Sequence, residues 1–129
     1  MVETLIGPEG THRARAVGGT SVVELSGEID ILTAPRVMSC LDDLTARARP
    51  DLVVDLRGVS FIDCAGLGLL CRARSRVLER HGRLRLVSGG VRLLRLLNAA
   101  GLGGVFEMCG PLPEAVSAEP GRAHCPAVG

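Results

Sequence analysis

The first half of the chain alternates apolar and polar residues in a way that predicts strands. Residues 12–17 and 21–26 repeat with a period of two, and Gly18-Gly19 between them predicts a tight hairpin turn. A polar turn is expected at residues 27–30, after the second strand. Residues 51–56 form an apolar run, which is typical of a buried strand. The start of the chain is therefore predicted to contribute three strands to a sheet.

Three segments carry apolar residues at helical spacing. The first helix begins after Thr33, whose hydroxyl is expected to cap it, and Pro50 stops it. The second follows a loop at residues 58–62 and ends at Gly82, and the third ends at Gly101. Their apolar faces are Ala34, Val37, Leu41, Leu44 and Ala48 in the first helix, Leu67, Leu70, Cys71, Val77 and Leu78 in the second, and Val91, Leu94, Leu97 and Ala100 in the third.

Short strands separate and follow these helices. Residues 84–87 and 105–106 are predicted as strands, and residues 111–116 as a short final helix. Each parallel step in such an order needs a crossover connection. The pattern therefore predicts an α/β fold with a mixed β-sheet and α-helices packed mainly on one face.

The length of 129 residues suits one domain with its own hydrophobic core. We expect this domain to span residues 10–116. Residues 1–9 are interpreted as an N-terminal tail or leading segment. Residues 117–129 are rich in Pro, Gly and Ala without periodicity, which predicts a disordered C-terminal tail.

The composition excludes some classes of partner. The chain has no Trp and no Tyr, and its two aromatic residues are Phe61 and Phe106. A platform that binds single-stranded nucleic acid needs aromatic faces for base stacking, so that class is excluded. The net charge of +1 provides no general attraction to nucleic acid or to a membrane surface. Neither is expected as a partner.

The near-neutral total conceals two oppositely charged halves. Residues 1–63 hold ten acids and six Arg, a balance of −4, and residues 64–129 hold four acids and nine Arg, a balance of +5. The second predicted helix carries Arg72, Arg74 and Arg76 between its apolar positions. These residues are either the solvated face of an amphipathic helix or an electropositive face that docks an acidic partner.

The cysteines do not form a recognisable metal or redox motif. There are five, and no two are spaced as CxxC, so neither a zinc ribbon nor a thioredoxin-like pair is available. No metal and no cofactor are expected. The sequence shows no signal peptide and no apolar run long enough to span a bilayer. The protein is therefore predicted to be cytoplasmic.

The strongest local pattern is the run Phe61-Ile62-Asp63-Cys64-Ala65-Gly66-Leu67-Gly68. Asp63 stands where a carboxylate can cap a helix, and Gly66 permits a close backbone approach. The glycines partly imitate a dinucleotide fingerprint, but the third glycine and the ribose-binding acid are missing. Cys64 has the position of a thiol nucleophile, but His81 lies at the far end of the same predicted helix. A capped helix entry explains the pattern without catalysis.

Several short runs together resemble the STAS domain. They are Gly27-Glu28-Ile29-Asp30, Thr33-Ala34-Pro35, Val53-Val54-Asp55-Leu56, Val59-Ser60-Phe61-Ile62-Asp63 with Gly66-Leu67-Gly68, Gly82-Arg83-Leu84 and Gly101-Leu102. The likeness covers about residues 10–116 and is greatest to stand-alone anti-sigma factor antagonists of bacterial partner-switching systems. It implies a mixed sheet, no catalysis, and a partner that is both an anti-sigma factor and a serine kinase. In that family, binding releases the sigma factor and phosphorylation of a Ser at the turn ends the binding.

The sequence departs from the family pattern at this phosphorylated position. The family's Ser falls on Cys64, and the next residue is Ala65, so neither position offers a hydroxyl to a Ser/Thr kinase. Because a phosphate would add about −2 charge beside Asp63, its absence predicts a turn that stays competent for binding. By the resemblance, the partner-binding residues are Glu28, Asp30, Thr33, Asp63, Cys64, Ala65, Gly66 and Leu67.

Three other interpretations stay open at the level of sequence. The chain is also compatible with a STAS scaffold subunit of a larger signalling complex, with a binding module that is redox-switched at Cys64, and with a thiol-dependent enzyme. A helix amino terminus favours the Cys64 thiolate, whereas the neighbouring Asp63 carboxylate disfavours it. The sequence leaves a redox sensor and an inert replacement of Ser as alternatives, and it does not indicate the oligomeric state.

Overall fold

Five strands and three helices form within residues 12–109, the part of the chain that the computed structural model describes. In chain order they are β1 (His12–Val17), β2 (Thr20–Ile29), α1 (Ala34–Leu44), β3 (Asp51–Ile62), α2 (Cys64–Glu79), β4 (Arg83–Val87), α3 (Val91–Ala99) and β5 (Glu107–Cys109). The sheet order is β1-β2-β3-β4-β5, with β1 and β2 antiparallel and each later pair parallel. The predicted mixed-sheet α/β fold is confirmed. The predicted tails and the predicted helix at 111–116 lie outside the described residues.

The helices pack on one face of the sheet, as the pattern predicts. Side chains alternate across β3, so Leu52, Val54 and Leu56 join the larger core cluster while Val53 joins a separate one. The larger cluster contains residues of α1, α2 and α3, and the smaller cluster contains none of their residues. The connections from β2 to α1 and from β3 to α2 therefore bend towards the same side of the sheet.

The opposite face of the sheet carries ion pairs beside its buried valines. Asp51 accepts hydrogen bonds from Thr20 Oγ1 at 2.7 Å and from Arg85 Nη2 at 2.6 Å. Arg57 donates through Nε and Nη2 to the two oxygens of Asp55, at 3.0 and 2.9 Å. Burial by itself raises the pKa of Asp55, but the hydrogen bonds and charge of Arg57 outweigh it and hold that pKa below its ordinary value. The contacts of Asp51 tie β2, β3 and β4 together, whereas the Asp55–Arg57 pair lies within β3.

Two predicted connections are parts of strands instead. The polar turn expected at residues 27–30 is wrong for residues 27–29, which continue β2, and the loop expected at 58–62 is the second half of β3. Parallel pairing extends to Ile29 and Ile62 through two register shifts, and Gly27 has a φ of +78°. Such bulges break the alternation of side chains while keeping the backbone paired, which is why the pattern failed there.

The first helix differs from its prediction at both ends. It ends at Leu44, so the expected helical position of Ala48 is wrong and that residue is exposed. The buried Thr45 hydroxyl donates to Leu41 O at 2.8 Å, so this side chain satisfies a backbone carbonyl in the last turn of the helix. Thr33 does occupy the N-cap position, but its side chain does not cap the helix.

Part of the predicted face of the third helix is wrong. Leu97 is buried as expected, but Val91 and Leu94 are exposed, and Leu93 and Leu96 pack against the core instead. Both stripes have helical spacing, so only packing against the sheet distinguishes them. In the second helix, Leu78 is likewise exposed rather than part of the apolar face.

The predicted strand at 105–106 is also wrong. These residues precede β5, whose three residues pair with β4 from Glu107 to Cys109. Phe106 is buried in the larger core cluster, so its apolar character reflects packing rather than strand structure.

Candidate partner-binding surface

The connections that follow β2 and β3 lie side by side at one edge of the sheet. Ile29 and Ile62 are paired as the last residues of these two parallel strands. The backbone N–H of Asp63 continues this pairing by donating to Ile29 O at 3.3 Å. The turn from β2 to α1 and the turn from β3 to α2 therefore form one continuous surface, which we call the turn surface (residues 28–33 and 61–67).

Asp63 organises the β3–α2 turn by capping α2. Its Oδ1 accepts hydrogen bonds from the backbone N–H groups of Ala65 at 2.9 Å and Gly66 at 3.2 Å. Capping of this kind stabilises a helix by about 1 kcal/mol. Cys64, the first residue of α2, is exposed, and Ala65 is half-buried. The turn thus presents a thiol at the place where the resemblance expects a hydroxyl.

Gly66 allows α2 to begin directly against the strands. A Cβ at this position would lie 2.4 Å from Ile62 Cγ1 and 2.7 Å from Ile29 O, closer than atoms can approach. Gly66 and Leu67 are both buried. These two residues pack beneath the turn, whereas Asp63 and Cys64 lie on its more exposed side.

Hydrogen bonds within the β2–α1 turn hold its backbone in place. Asp30 Oδ1 accepts from the N–H groups of Leu32 at 3.0 Å and Thr33 at 3.1 Å. The hydroxyl of Thr33 donates to Glu28 O at 2.8 Å and accepts from the N–H of Asp30 at 2.9 Å. The expectation that this hydroxyl caps α1 is therefore wrong, because it closes the turn instead. Glu28 itself is exposed at the end of β2.

Three large apolar side chains are exposed on the turn surface, and the hydrophobic pattern did not single them out. Ile31 is 72% exposed, Leu32 is 82% exposed, and Phe61, whose strand partner is Glu28, is 50% exposed. The available signal was the pair Ile31-Leu32 inside an otherwise polar turn, where neither side chain belongs to a helical or strand stripe. Large apolar side chains exposed among polar residues are typical of surfaces that bind proteins.

The structure separates the three arginines predicted to form a docking face. Arg72 makes a two-point ion pair with Asp42 on α1, through Nε and Nη2 at 3.0 Å each. Arg76 donates to Thr45 Oγ1 at 2.8 Å and to Asp42 O at 3.0 Å, whereas Arg74 makes no ion pair within residues 12–109. Two of the three guanidinium groups thus fasten α2 to α1. Docking of an acidic partner on this face stays a prediction.

The same contacts set the protonation of the α1–α2 seam. The hydrogen bond and charge of Arg72 hold the pKa of Asp42 below its ordinary value, and the charge of Arg76 acts in the same direction. In return, Asp42 raises the pKa of Arg72. Asp42 and Arg72 each favour the charged form of the other.

The surroundings of Cys64 do not assemble a catalytic set. Cys64 begins α2 and His81 follows its opposite end, and this 16-residue helix is about 24 Å long at 1.5 Å per residue. Within residues 12–109 no group of three or more His, Cys, Asp or Glu side chains is placed to hold a metal ion. None of the helices in this part of the chain is both long and apolar enough to cross a membrane.

The fold and the turn surface define a class of protein, and comparison with known families identifies it. A family model of the STAS domain matches residues 12–115. The chain therefore belongs to the STAS domain family, as the short runs of residues predicted.

Individual relatives and solved structures show which STAS proteins this chain is similar to. The chain is similar to the anti-sigma-B factor antagonist of Listeria monocytogenes, with 34% identity over 84 residues, or 65% of this chain and 74% of that protein. Its structure is similar to the crystal structure of an anti-sigma factor antagonist from Mycobacterium paratuberculosis, with a TM-score of 0.74, 31% identity, and coverage of 88% of this chain and 97% of that chain. It shares its fold with SpoIIAA of Bacillus in the phosphorylated form, with a TM-score of 0.64, 20% identity, and coverage of 81% and 94%.

Proposed function

We propose that the protein is an anti-sigma factor antagonist that binds an anti-sigma factor through the turn surface. In this proposal the protein is a cytoplasmic binding module rather than an enzyme, and its binding releases the sigma factor from the anti-sigma factor. The observation that carries the proposal is the exposure of Ile31, Leu32 and Phe61 on the turn surface that also contains Asp63 and Cys64, in a chain that belongs to the STAS family.

The contacts of the turn surface support a preformed binding site. Both turns are held by carboxylates that accept backbone N–H groups, so their conformation is ordered before a partner arrives. A preorganised surface avoids the entropic cost of ordering loops on binding. The apolar side chains supply buried area, and the acids around them supply orientation. We assign the contact residues as Glu28, Asp30, Thr33, Asp63, Cys64 and Ala65, with Ile31, Leu32 and Phe61 added from the structure and with Gly66 and Leu67 shaping the turn.

We further propose that phosphorylation does not switch this binding off. Residues 61–68 contain no Ser, Thr or Tyr, and the exposed residue at the start of α2 is Cys64. A phosphate there would place about −2 charge directly beside the Asp63 carboxylate and at the centre of the turn surface. Without a hydroxyl that accepts the phosphoryl group, the surface keeps one charge state.

A kinase assay with purified protein tests this proposal. A partner-switching kinase is captured with the wild-type protein and then incubated with radiolabelled ATP. We expect Cys64→Ser to take up phosphate and the wild type to remain unlabelled. Cys71→Ser, a half-buried position on the same helix, is the matched control and should also remain unlabelled. Labelling of the wild type within residues 61–68 would contradict the proposal.

The identity of the partner distinguishes antagonist from scaffold. Affinity capture from cells that naturally produce the protein should recover an anti-sigma factor, with less recovered by Leu32→Asp. Recovery of other STAS proteins without an anti-sigma factor would instead support a subunit of a larger signalling complex.

The exposure of Cys64 favours one alternative, a redox-switched binding module. Cys40, Cys71 and Cys109 are only partly exposed, so Cys64 is the most accessible of the described thiols. Hydrogen peroxide would oxidise the thiol to a sulfenic acid and be reduced to water. In that case peroxide should weaken partner binding, thiol reductant should restore it, and Cys64→Ala should abolish the response. Equal peroxide sensitivity of wild type and Cys64→Ala would contradict this alternative.

A further inference from the structure

A groove of about 420 Å³ separates the second half of β3 from α3. It arises because β4 ends at Val87, opposite Asp55, whereas β3 continues to Ile62. The connection from β4 passes so close to Arg57 that a Cβ on Gly89 would lie 3.2 Å from its Cα, and the chain then leaves the sheet for α3. Beyond this point no described strand lies beside β3 on the α3 side.

The wall of the groove that β3 provides is a strand edge. Residues 58–62 pair with β2 on one side only within the described part of the chain. An edge of this kind presents backbone N–H and C=O groups that can pair with a further strand. The length of five residues gives about 17 Å of edge at 3.4 Å per residue.

The other lining residues give the groove an apolar floor and a positive rim. Its apolar floor includes Leu56, Val59 and Phe61 from β3 and Leu93 and Leu96 from α3. Arg92 and Arg95, about one helical turn apart, also line it, and no acidic residue among residues 12–109 does. Unlike Arg72 and Arg76, these two exposed arginines make no ion pair with any residue in 12–109. A ligand that fits must combine apolar groups with carboxylates.

We propose that this groove binds an extended segment of a partner protein, added to the sheet as a strand beside β3, in which the side chains that face α3, one residue in two, include both apolar and acidic ones. The exposed strand edge supplies backbone hydrogen bonds, and alternate side chains of the segment reach the α3 side of the sheet, where the apolar residues and the arginines of the groove both lie. Its carboxylates meet Arg92 and Arg95, whose planar guanidinium groups suit two-point pairing with carboxylates. Because Phe61 belongs to both the groove and the turn surface, one partner can occupy both sites. The inference goes beyond the proposed function, since it does not depend on the partner's being an anti-sigma factor.

Nuclear magnetic resonance titration with a synthetic probe tests the proposal. The probe is the capped heptapeptide acetyl-Leu-Thr-Glu-Thr-Val-Thr-Glu-amide, whose apolar and acidic residues share one face of an extended strand, added to the full-length ¹⁵N-labelled protein. We expect amide shifts concentrated in residues 58–62 and 91–97. The double variant Arg92→Glu/Arg95→Glu should bind the probe at least tenfold more weakly and should instead bind the peptide with Lys in place of Glu. Arg36→Glu/Arg47→Glu, which makes the same change of charge at exposed positions away from the groove, should bind like the wild type.

Three results would overturn the proposal. The first is a set of shifts that lies outside the groove, and the second is an affinity that the Arg92 and Arg95 changes do not alter. The third is binding of decanoate in the groove without binding of the peptide, which would mean that the site takes a small apolar carboxylate. Unchanged far-ultraviolet circular dichroism of each variant ensures that lost binding does not reflect lost folding.

Discussion

Two regions of the molecule use charged residues in opposite ways. One is the α1–α2 seam, the contact of Arg72 and Arg76 with Asp42 and Thr45, and the other is the edge of the sheet that carries the turn surface and the groove beside α3. In the seam, Arg72 and Arg76 are paired with Asp42 and Thr45 of the neighbouring helix region, so the charges contribute to the structure. At the edge, acids hold the turns, large apolar side chains are left exposed, and Arg92 and Arg95 line an open groove without an ion pair to a described residue. Internal pairing is typical of a structural contact, whereas exposed apolar groups with unpaired charge are typical of a binding surface.

The comparison predicts that substitutions at the edge change binding and those in the seam and sheet change stability. The largest expected effect is on partner binding by Leu32→Asp. A binding hot spot contributes about 2 kcal/mol or more, so affinity for the anti-sigma factor should fall about 30-fold or more, measured by calorimetry. Leu78→Asp makes the same change at another exposed leucine, near the far end of α2, and should leave affinity unchanged. An unfolding midpoint altered by Leu32→Asp would blur the distinction between the two regions.

Gly66→Ala should be an exception to this rule. Gly66 lies at the edge that carries the turn surface, but its substitution is expected to lower the stability of the fold. Its Cβ would meet Ile29 O at 2.7 Å, and a backbone carbonyl in a strand has little room to move. We expect the free energy of unfolding in urea to fall by about 1–3 kcal/mol. Gly68→Ala is the matched control two residues on, where a Cβ meets nothing within 4 Å. It should stabilise the helix by about 0.5–1 kcal/mol, and equal effects of the two changes would contradict the packing argument.

Asp55 should make stability depend on pH. Its pKa is lowered in the folded protein, because the contacts with Arg57 outweigh burial, so its contribution is present above its ordinary value of 3.8 and is lost as pH falls through the folded value. Asp55→Asn should reduce the free energy of unfolding at pH 7 by about 1.5 kcal/mol. The gap between variant and wild type should narrow below about pH 4. Asp43→Asn, a change at an exposed position on α1, is the control, and this variant should still lose stability at acid pH as the wild type does.

The smallest expected effect compares two arginines of α2. Arg76→Met removes the hydrogen bonds to Thr45 and to Asp42 O, and should lower the free energy of unfolding by about 1 kcal/mol. Arg74→Met, with no ion pair in the described structure, should change it by less than about 0.5 kcal/mol. If Arg74→Met weakens partner binding while Arg76→Met does not, the docking face is reduced to Arg74. Loss of binding in neither variant would argue against a docking role for this helix.

Much of the fold could be predicted because its signals are local. The Gly18-Gly19 hairpin and the cap at Asp63 each depend on a few neighbouring residues, and both are present. The helix end predicted at Gly82 lies three residues beyond the observed end of α2 at Glu79, and the left-handed residue there is His81, with a φ of +61°. The second half of β3 could not be predicted in this way. Its pairing with β2 passes through register shifts, and hydrogen bonds to a distant strand rather than alternation hold it in the sheet.

The candidate site likewise has features that the local sequence predicted and features that only the packing revealed. The sequence placed Asp30, Asp63 and Cys64 in two turns, and the absence of a hydroxyl at Cys64 and Ala65 follows from residue identity alone. It did not identify Ile31, Leu32 or Phe61 as exposed, because solvent exposure depends on which neighbours cover a side chain. The same limit explains why the arginines of α2 and α3 looked alike in sequence.

The sequence by itself determined the element order, the family and the chemistry that position 64 can undergo, because these depend on local spacing and on side-chain identity. Only the tertiary structure decided which charges are paired and which apolar groups face solvent. Asp42 reaches Arg72 across 30 positions of chain, and Phe61 reaches the groove beside Leu93 and Leu96 because β4 ends before β3 does. Those contacts depend on how the sheet and helices pack, and no short stretch of the chain contains that information.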